Sequence, residues 1–208
     1  MNMRERILLE SRLWKIEKEN LDKDYFKSFS GNHLPKLLWI ESFGNAATVS
    51  EITNTEPHEV VVYKNHGGLC RGDDANFMAI LESFIESSDA QNIVVCGHSN
   101  CNAIRNTVAG KAAGAYASRW LEEIHELNDQ YAMEMSPLSP RQKERKLSEL
   151  NIRRQLDNLR SIDVIQRAWA NGRSLQLLGW YLDLNRGEIQ EIEAVSSRDF
   201  HKEVTARH

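Results

Sequence analysis

Cysteine is scarce in this chain: Cys70, Cys96 and Cys101 are the only three in 208 residues. An odd, small count excludes a disulfide framework and predicts a reduced protein. No apolar run approaches the roughly 20 residues needed to cross a bilayer, so no membrane span is expected. Positive charge is not in excess either. Lys and Arg number 26 against 30 Asp and Glu, for a formal net charge of -4 with the two signs interspersed. That balance argues against a nucleic-acid partner or an anionic membrane surface. The opening residues Met1-Asn2-Met3-Arg4-Glu5-Arg6 lack the apolar stretch of a secretory leader, so a cytoplasmic protein is expected. Internal repeats and low-complexity tracts are absent. What remains is a chain that is 41% hydrophobic and long enough for one α/β domain with a substantial core.

The apolar pattern divides that chain into a helical arm (1–34), a central region (35–110) and a helical region ending in strands (111–208). Residues 4–30 read as an amphipathic helix carrying Ile7, Leu8, Leu9, Leu13, Trp14 and Ile16, then Tyr25 and Phe26. Three short β-branched or apolar runs follow, at 36–40, 59–63 and 92–96, each of the kind buried in a parallel sheet. Asp73 or Asp74 is placed to cap a helix reaching about Ser87, with Phe77, Ile80, Leu81 and Phe84 on one face. Helices are expected at 114–130 and 141–170, the second following the proline-punctuated segment Ser136-Pro137-Leu138-Ser139-Pro140. Runs at 174–181 and 188–192, joined across Asn185-Arg186-Gly187, read as the last two strands. Strands alternating with helices predict a mainly parallel sheet flanked by helices, whose ligands sit beyond the strand C-termini. The turns after Ile40, Tyr63 and Cys96 are therefore the places to look for chemistry.

The third of those turns carries the strongest signal. In Val94-Val95-Cys96-Gly97-His98-Ser99-Asn100-Cys101 a β-branched run ends at a glycine and then delivers a histidine and a cysteine three residues apart. Imidazole nitrogen and thiolate sulfur are preferred zinc donors, and this spacing lets both face one ion. Two donors alone do not complete a tetrahedral site. Cys96, inside the strand, reads as core.

With His98-Ser99-Asn100-Cys101 the chain resembles the β-class carbonic anhydrases, and most closely their bacterial branch. Pro35-Lys36-Leu37-Leu38-Trp39-Ile40, Val62-Tyr63-Lys64-Asn65, Glu149-Leu150-Asn151-Ile152 and Gly179-Trp180 carry the likeness along nearly the whole sequence. In that family two cysteines and a histidine hold zinc, and the first cysteine opens a Cys-x-Asp-x-Arg motif after the first strand. His98 and Cys101 match the second half of the site. The first half reads Ser42-Phe43-Gly44-Asn45-Ala46, with Ser42 at the cysteine position, Gly44 at the aspartate and Ala46 at the arginine.

Each substitution removes a separate function. A serine hydroxyl is a poor neutral ligand where a thiolate is expected. The family's aspartate contacts the zinc-bound water or the zinc itself, and Gly44 has no side chain to do so. The family's arginine orients that aspartate, and Ala46 cannot. Zinc is what brings a bound water toward a neutral pKa, so losing the metal stalls the reaction. Glu41, His66 and Cys70 are candidate substitute ligands, their competing roles being backbone hydrogen bonding for His66 and core packing for Cys70. Lys64 stands where the bacterial branch commonly has arginine near Trp39, at a site where some members bind bicarbonate. Lysine cannot reproduce arginine's planar fork.

Three functions are compatible with these residues. The first is a non-catalytic homologue acting as a binding, assembly or regulatory subunit, alongside an active paralogue. The second is a zinc-dependent carbonate dehydratase, or a related hydrolase, with a rebuilt site. The third is a metal-free module binding bicarbonate or a similar anion through Lys64 and Arg71. The resemblance also implies a homodimer or homotetramer built on the N-terminal arm.

Overall fold

The computed structural model describes residues 1–28, 34–87 and 91–199. Two compact units are present, one over 1–33 and one over 34–208. The smaller contains α1 (Met3–Leu21) and the single turn α2 (Tyr25–Ser28). Asn2 caps α1 by accepting from the Glu5 amide at 2.9 Å, and the Glu5 carboxylate accepts from the Asn2 amide at 3.0 Å. This reciprocal pair satisfies two otherwise orphaned donors of the first turn. The helix expected to reach residue 30 instead breaks at Asp22, whose extended backbone ends α1. Trp14 then packs edge-on against Tyr25 and Phe26. Residues 29 and 30 of that expectation lie outside the described residues.

The larger unit is built on five strands: β1 (Leu37–Ser42), β2 (Val60–Asn65), β3 (Asn92–His98), β4 (Gln176–Asp183) and β5 (Glu188–Ser196). Their order is β2-β1-β3-β4-β5, parallel except for the final antiparallel β4–β5 pair. The mainly parallel sheet expected from the alternation of strands and helices is thus present. Between the strands lie α3 (Val49–Thr53), α4 (Ala75–Ser87), α5 (Asn102–Val108), α6 (Ala115–Trp120), α7 (Glu122–Gln130), α8 (Ala132–Met135), α9 (Pro140–Ser161) and α10 (Asp163–Ala170). Asp74 rather than Asp73 caps α4, accepting from the amides of Asn76 and Phe77.

Two helices predicted as continuous are each broken at a buried apolar residue. Leu121 separates α6 from α7, and Ile162, with extended backbone, separates α9 from α10. Both are buried in apolar clusters. Ser139 caps α9 through a reciprocal pair with Gln142, and Pro140 occupies its first turn.

One face of the sheet packs on α4, α9 and α10 through Leu38, Ile40, Phe77, Leu81, Leu156 and Trp169. The opposite face carries Trp39, Val94, Cys96 and Leu182, with Val49 of α3. Cys96 is core, as its place inside the strand predicts. Helix α9 approaches β3 and β4 where they have no side chain. A Cβ on Gly97 would lie 2.7 Å from Ser148 Oγ, and one on Gly179 would lie 2.7 Å from Ile152 Cγ2. A third cluster, including Leu69, Ile104, Ile124 and Leu147, lies beside the C-terminal end of β3. None of the helices in the described residues is long and apolar enough to cross a membrane.

Candidate functional site

The site forms where β1 and β3 end side by side. At the end of β3 the sheet continues through His98, and Ser99 then donates its amide to Leu182 O at 2.9 Å. Ser99 Oγ accepts from the Leu184 amide at 2.9 Å, so the turn is tied to β4 by backbone and side chain. Asn100 adopts a left-handed conformation, φ 63°, and turns the chain so that Cys101 precedes α5. At the end of β1, Phe43 N donates to Asn65 O at 3.0 Å and Asn45 N donates to Ser42 O at 3.2 Å. This holds the 42–46 loop in a tight turn.

Ser42, His98 and Cys101 converge on a small space of about 10 Å³, also lined by Gly67, Gly97 and Ser148. A space of that size holds one water or one ion. Ser42 Oγ accepts from the Gly67 amide at 3.3 Å and lies in hydrogen-bonding reach of the Cys101 thiol. The glycines are required here. Gly67 and Gly68 both have positive φ, and a Cβ on Gly68 would press on the Ser42 amide at 3.2 Å.

His98 is 2% exposed. Its Nδ1 lies 2.9 Å from the Ser99 carbonyl, which can only accept. Nδ1 therefore carries the proton in the neutral ring, and Nε2 presents its lone pair. That Nε2 is buried, and the Cys101 side chain is its hydrogen-bond partner. Burial pushes the Cys101 thiol up, but His98, the Ile104 backbone and the Ser42 hydroxyl together outweigh it and leave the thiol below its ordinary range. Burial likewise works against the His98 imidazolium, and the neighbouring Cys101 sulfur outweighs it, so the imidazole is held above its ordinary value.

None of the substitute ligands foreseen from sequence lines that small space. Glu41 is fully buried on the neighbouring strand position, and its Oε2 accepts from Trp39 Nε1 at 3.1 Å and from Asn45 Nδ2 at 2.7 Å. Lys64 Nζ lies 2.7 Å from Oε1, a charge contact without hydrogen-bond alignment. His66 stacks on Phe43 with ring centroids 5.0 Å apart, and its carbonyl accepts from Trp120 Nε1 at 2.6 Å. Burial pushes the His66 imidazole down, and its Nδ1 has no partner. The Cys70 side chain belongs to the main core, and burial raises its thiol well above the ordinary range. The Cys70 amide donates to Gln155 Oε1 at 2.8 Å.

Among the described residues, no group of three or more His, Cys, Asp or Glu side chains is placed to hold a metal ion. The three-ligand zinc set implied by the family is therefore incomplete: two of its donors are together, and the third position offers a neutral hydroxyl. Gly44 lies above the site with open space around it. A Cβ there would meet only His98 Cε1, at 3.9 Å.

The two cations considered as anion ligands are engaged within the chain. Lys64 faces Glu41, while Arg71 forms a bidentate pair with Asp73 at 2.9 and 2.7 Å and lies over the Trp120 ring. A feature not foreseen from sequence is a cavity of about 380 Å³ on the α9 side of His98 and Cys101. Arg141, Arg145 and Tyr181 line it, with the Arg145 guanidinium 3.7 Å above the Tyr181 ring. Asn45, the partner of Glu41, was also not singled out; its signal was the i, i+4 spacing across a turn.

The carbonic anhydrase family profile matches residues 47–189, beginning immediately after the substituted 42–46 loop. A carbonic anhydrase of Pseudomonas aeruginosa is 30% identical over 187 residues, covering 83% of this chain and 80% of that protein. Among solved structures, a Coccomyxa β-carbonic anhydrase in complex with acetazolamide matches with a TM-score of 0.83 at 29% identity, covering 92% of this chain and 87% of that one. A tetrameric β-carbonic anhydrase of Sordaria macrospora matches with a TM-score of 0.87 at 22% identity, covering 94% of this chain and all 100% of that one, a likeness of fold. A profile match across most of the chain, the sheet order and the juxtaposed His98 and Cys101 lead to one assignment: the chain belongs to the β-class carbonic anhydrase family, with the first half of that family's metal motif degenerate.

Proposed function

We propose that this protein is a family member without ordinary carbon dioxide hydration, serving as a binding, assembly or regulatory subunit. The observation that carries this reading is the state of the 42–46 loop. Its backbone is held in place by Asn45 and Glu41, yet the three positions that supply chemistry in the family are Ser42, Gly44 and Ala46. A hydroxyl does not replace a thiolate on zinc, and nothing at Gly44 or Ala46 can handle a proton. Retention of the scaffold without its reactive groups suits a protein used for its surface.

The surface in question is α1. None of its residues is buried, and Ile7, Leu8, Leu9, Leu13, Trp14 and Ile16 are each 44–58% exposed. Apolar exposure on that scale along one helix marks an interaction face. The occupant we propose is a second copy of the chain, giving a homodimer or homotetramer in which an active paralogue could substitute for one copy.

The test is stopped-flow carbon dioxide hydration by the purified, zinc-replete protein, with His98→Ala as control. The expected rate is the buffer rate in both. A hydration rate abolished by His98→Ala overturns the reading. Light scattering of the native chain and of Leu13→Glu tests assembly, with dissociation expected in the variant.

A second reading, a rebuilt zinc hydratase, draws support from the buried His98 side chain beside the Cys101 thiol. It requires stoichiometric zinc in the native protein, lost in Cys101→Ser. A folded, zinc-free native protein eliminates it.

A further inference from the structure

We infer that the cavity between the first turns of α9 and the end of β4 is a binding site for a zwitterion, a free α-amino acid. The inference goes beyond the proposed function. The cavity adjoins His98 and Cys101, but the groups that carry the inference stand on α9 and β4 and belong to neither half of the metal motif.

One face of α9 changes character along its length. Ile152 and Leu156 seat the later turns directly on Gly97 and Gly179. Arg141, Arg145 and Glu149 continue that face toward the start of the helix at i, i+4 spacing, and all three line the cavity. Opposite them stand Tyr181 and Asp183, which strand alternation sets on one side of β4. Where aliphatic residues give way to charged ones, a space of about 380 Å³ opens between helix and strand. Sites for small ligands run from about 300 to 1,000 Å³.

Some charges on these walls are committed and others are not. The Arg145 guanidinium lies 3.7 Å above the Tyr181 ring, donates to Gln190 at 2.8 Å and pairs with Glu149. Lys146 pairs with Glu134 at 2.7 Å. Asp183 accepts from the amide and the side chain of Asn185 in its own turn. Those bonds, and behind them the charge of Arg141, hold the Asp183 carboxyl below its ordinary range. Arg141 and Glu144 remain, of opposite sign and three residues apart on the helix, a spacing at which they reach each other. Among the described residues, neither makes an ion pair or a hydrogen bond.

Arg141 is also placed against the interest of its own helix. The first turn of α9 holds no acidic residue, and a cation there opposes the helix dipole. Arg145, one turn on, adds a like charge at i, i+4. A side chain that weakens its helix and pairs with nothing marks a place where local rules yield to recognition. The ligand class follows from charge balance. Arg141, Arg145 and Lys146 are matched by Glu144, Glu149 and Asp183, so the lining is neutral when His98 is neutral. A simple anion or a simple cation would leave an uncompensated charge in the cavity. A zwitterion leaves none. Its carboxylate suits the planar fork of Arg141, and its ammonium suits the Glu144 carboxylate.

The experiment reads the melting midpoint of the full chain with single free L-amino acids, then measures the most stabilising one by calorimetry. At least one is expected to raise the midpoint by about 4 °C near saturation. Its N-acetyl derivative lacks the ammonium and its carboxamide lacks the carboxylate, and each is expected to bind about tenfold more weakly. Arg141→Gln and Glu144→Gln are expected to weaken binding of the free amino acid by a similar factor. Lys143→Gln, on the same turn but outside the cavity lining, is expected to leave it unchanged. The derivatives are tested on the native chain, so a variant that fails to fold does not shield the inference. It is overturned if no amino acid shifts the midpoint, if either derivative binds as tightly as its parent, or if Arg141→Gln or Glu144→Gln keeps the native affinity. Inorganic phosphate as effective as the amino acid overturns it too. None of these readouts depends on zinc or on carbon dioxide hydration.

Discussion

The loops that follow β1 and β3 sit side by side and are equally well anchored, yet only one has kept its chemistry. The loop after β3 is tied to β4 through Ser99 and turned by Asn100, and it delivers His98 and Cys101 into one space. The loop after β1 is tied to β2 through the Phe43 amide and braced by the Glu41–Asn45 hydrogen bond, but it delivers a hydroxyl, a hydrogen and a methyl group. Backbone placement and reactive function are therefore separable properties of this fold. The sheet register and a few capping bonds secure the first. Single side chains with no packing duty carry the second, and they can change without disturbing the frame.

The sharpest way to break the comparison is to attack the brace of the β1 loop. Lys64→Met leaves Glu41 as a buried carboxylate without its cation. We expect a loss of about 3 kcal/mol, the low end for leaving a buried carboxylate without its cation, because Lys64 is itself exposed and Trp39 and Asn45 still donate. Urea denaturation measures it. No loss would show that the anchoring of the two loops is unequal.

Next in size is a change that makes the loops alike. Ser42→Cys adds a second thiolate to His98 and Cys101, and zinc affinity should rise roughly 100-fold, or about 2.7 kcal/mol. Competition with a zinc chelator reads this directly. An unchanged affinity would mean that residue 42 is held away from the other two donors.

A smaller effect separates the glycines of the two regions. Gly97→Ala puts a methyl group against Ser148 and Ile152 of α9 and should cost about 2 kcal/mol in denaturant melts. Gly44→Ala meets only His98 Cε1 at ordinary contact distance and should change stability by less than about 0.5 kcal/mol.

The last expected effect is a pH dependence on β2, beside β1. Burial, then the hydrogen bond to Asp74, pushes the Tyr63 hydroxyl up to about 12 from an ordinary 10. Because the folded value is raised, its contribution is complete below pH 10 and is lost as pH climbs toward 12. Native stability should therefore fall more steeply across that window than stability of Tyr63→Phe.

Much of this comparison was legible in the sequence. The His-x-x-Cys spacing after a β-branched run placed two donors in one turn, and the strand–helix alternation set the parallel sheet. The mismatch at Ser42, Gly44 and Ala46 could be read position by position against the family motif. Side-chain direction was not legible. Glu41 precedes Ser42, but successive strand residues point to opposite faces. Only the register, which sets buried Glu41 beside exposed Lys64, reveals that pair. His66 and Cys70 were expected near the metal loop because their turn follows the adjacent strand. His66 does pack on Phe43 of that loop, while the left-handed glycines that follow it turn the chain and leave Cys70 in the core. The breaks at Leu121 and Ile162 were hidden because both residues fit the helical period and are set apart only by tertiary burial.

The bare backbone at Gly97 and Gly179 has a consequence for how the molecule breathes. With Ile152 seated directly on two strands, α9 has no gap into which to slide, and the sheet beneath it cannot shear. Local opening must then begin elsewhere, at elements with fewer buried contacts. Hydrogen exchange should be slowest at Val94–Cys96 and Leu177–Gly179, which lie under the helix. It should be faster at the amides of exposed Gly44 and Ala46 than at those of Phe43, Asn45 and Ala47, which donate hydrogen bonds.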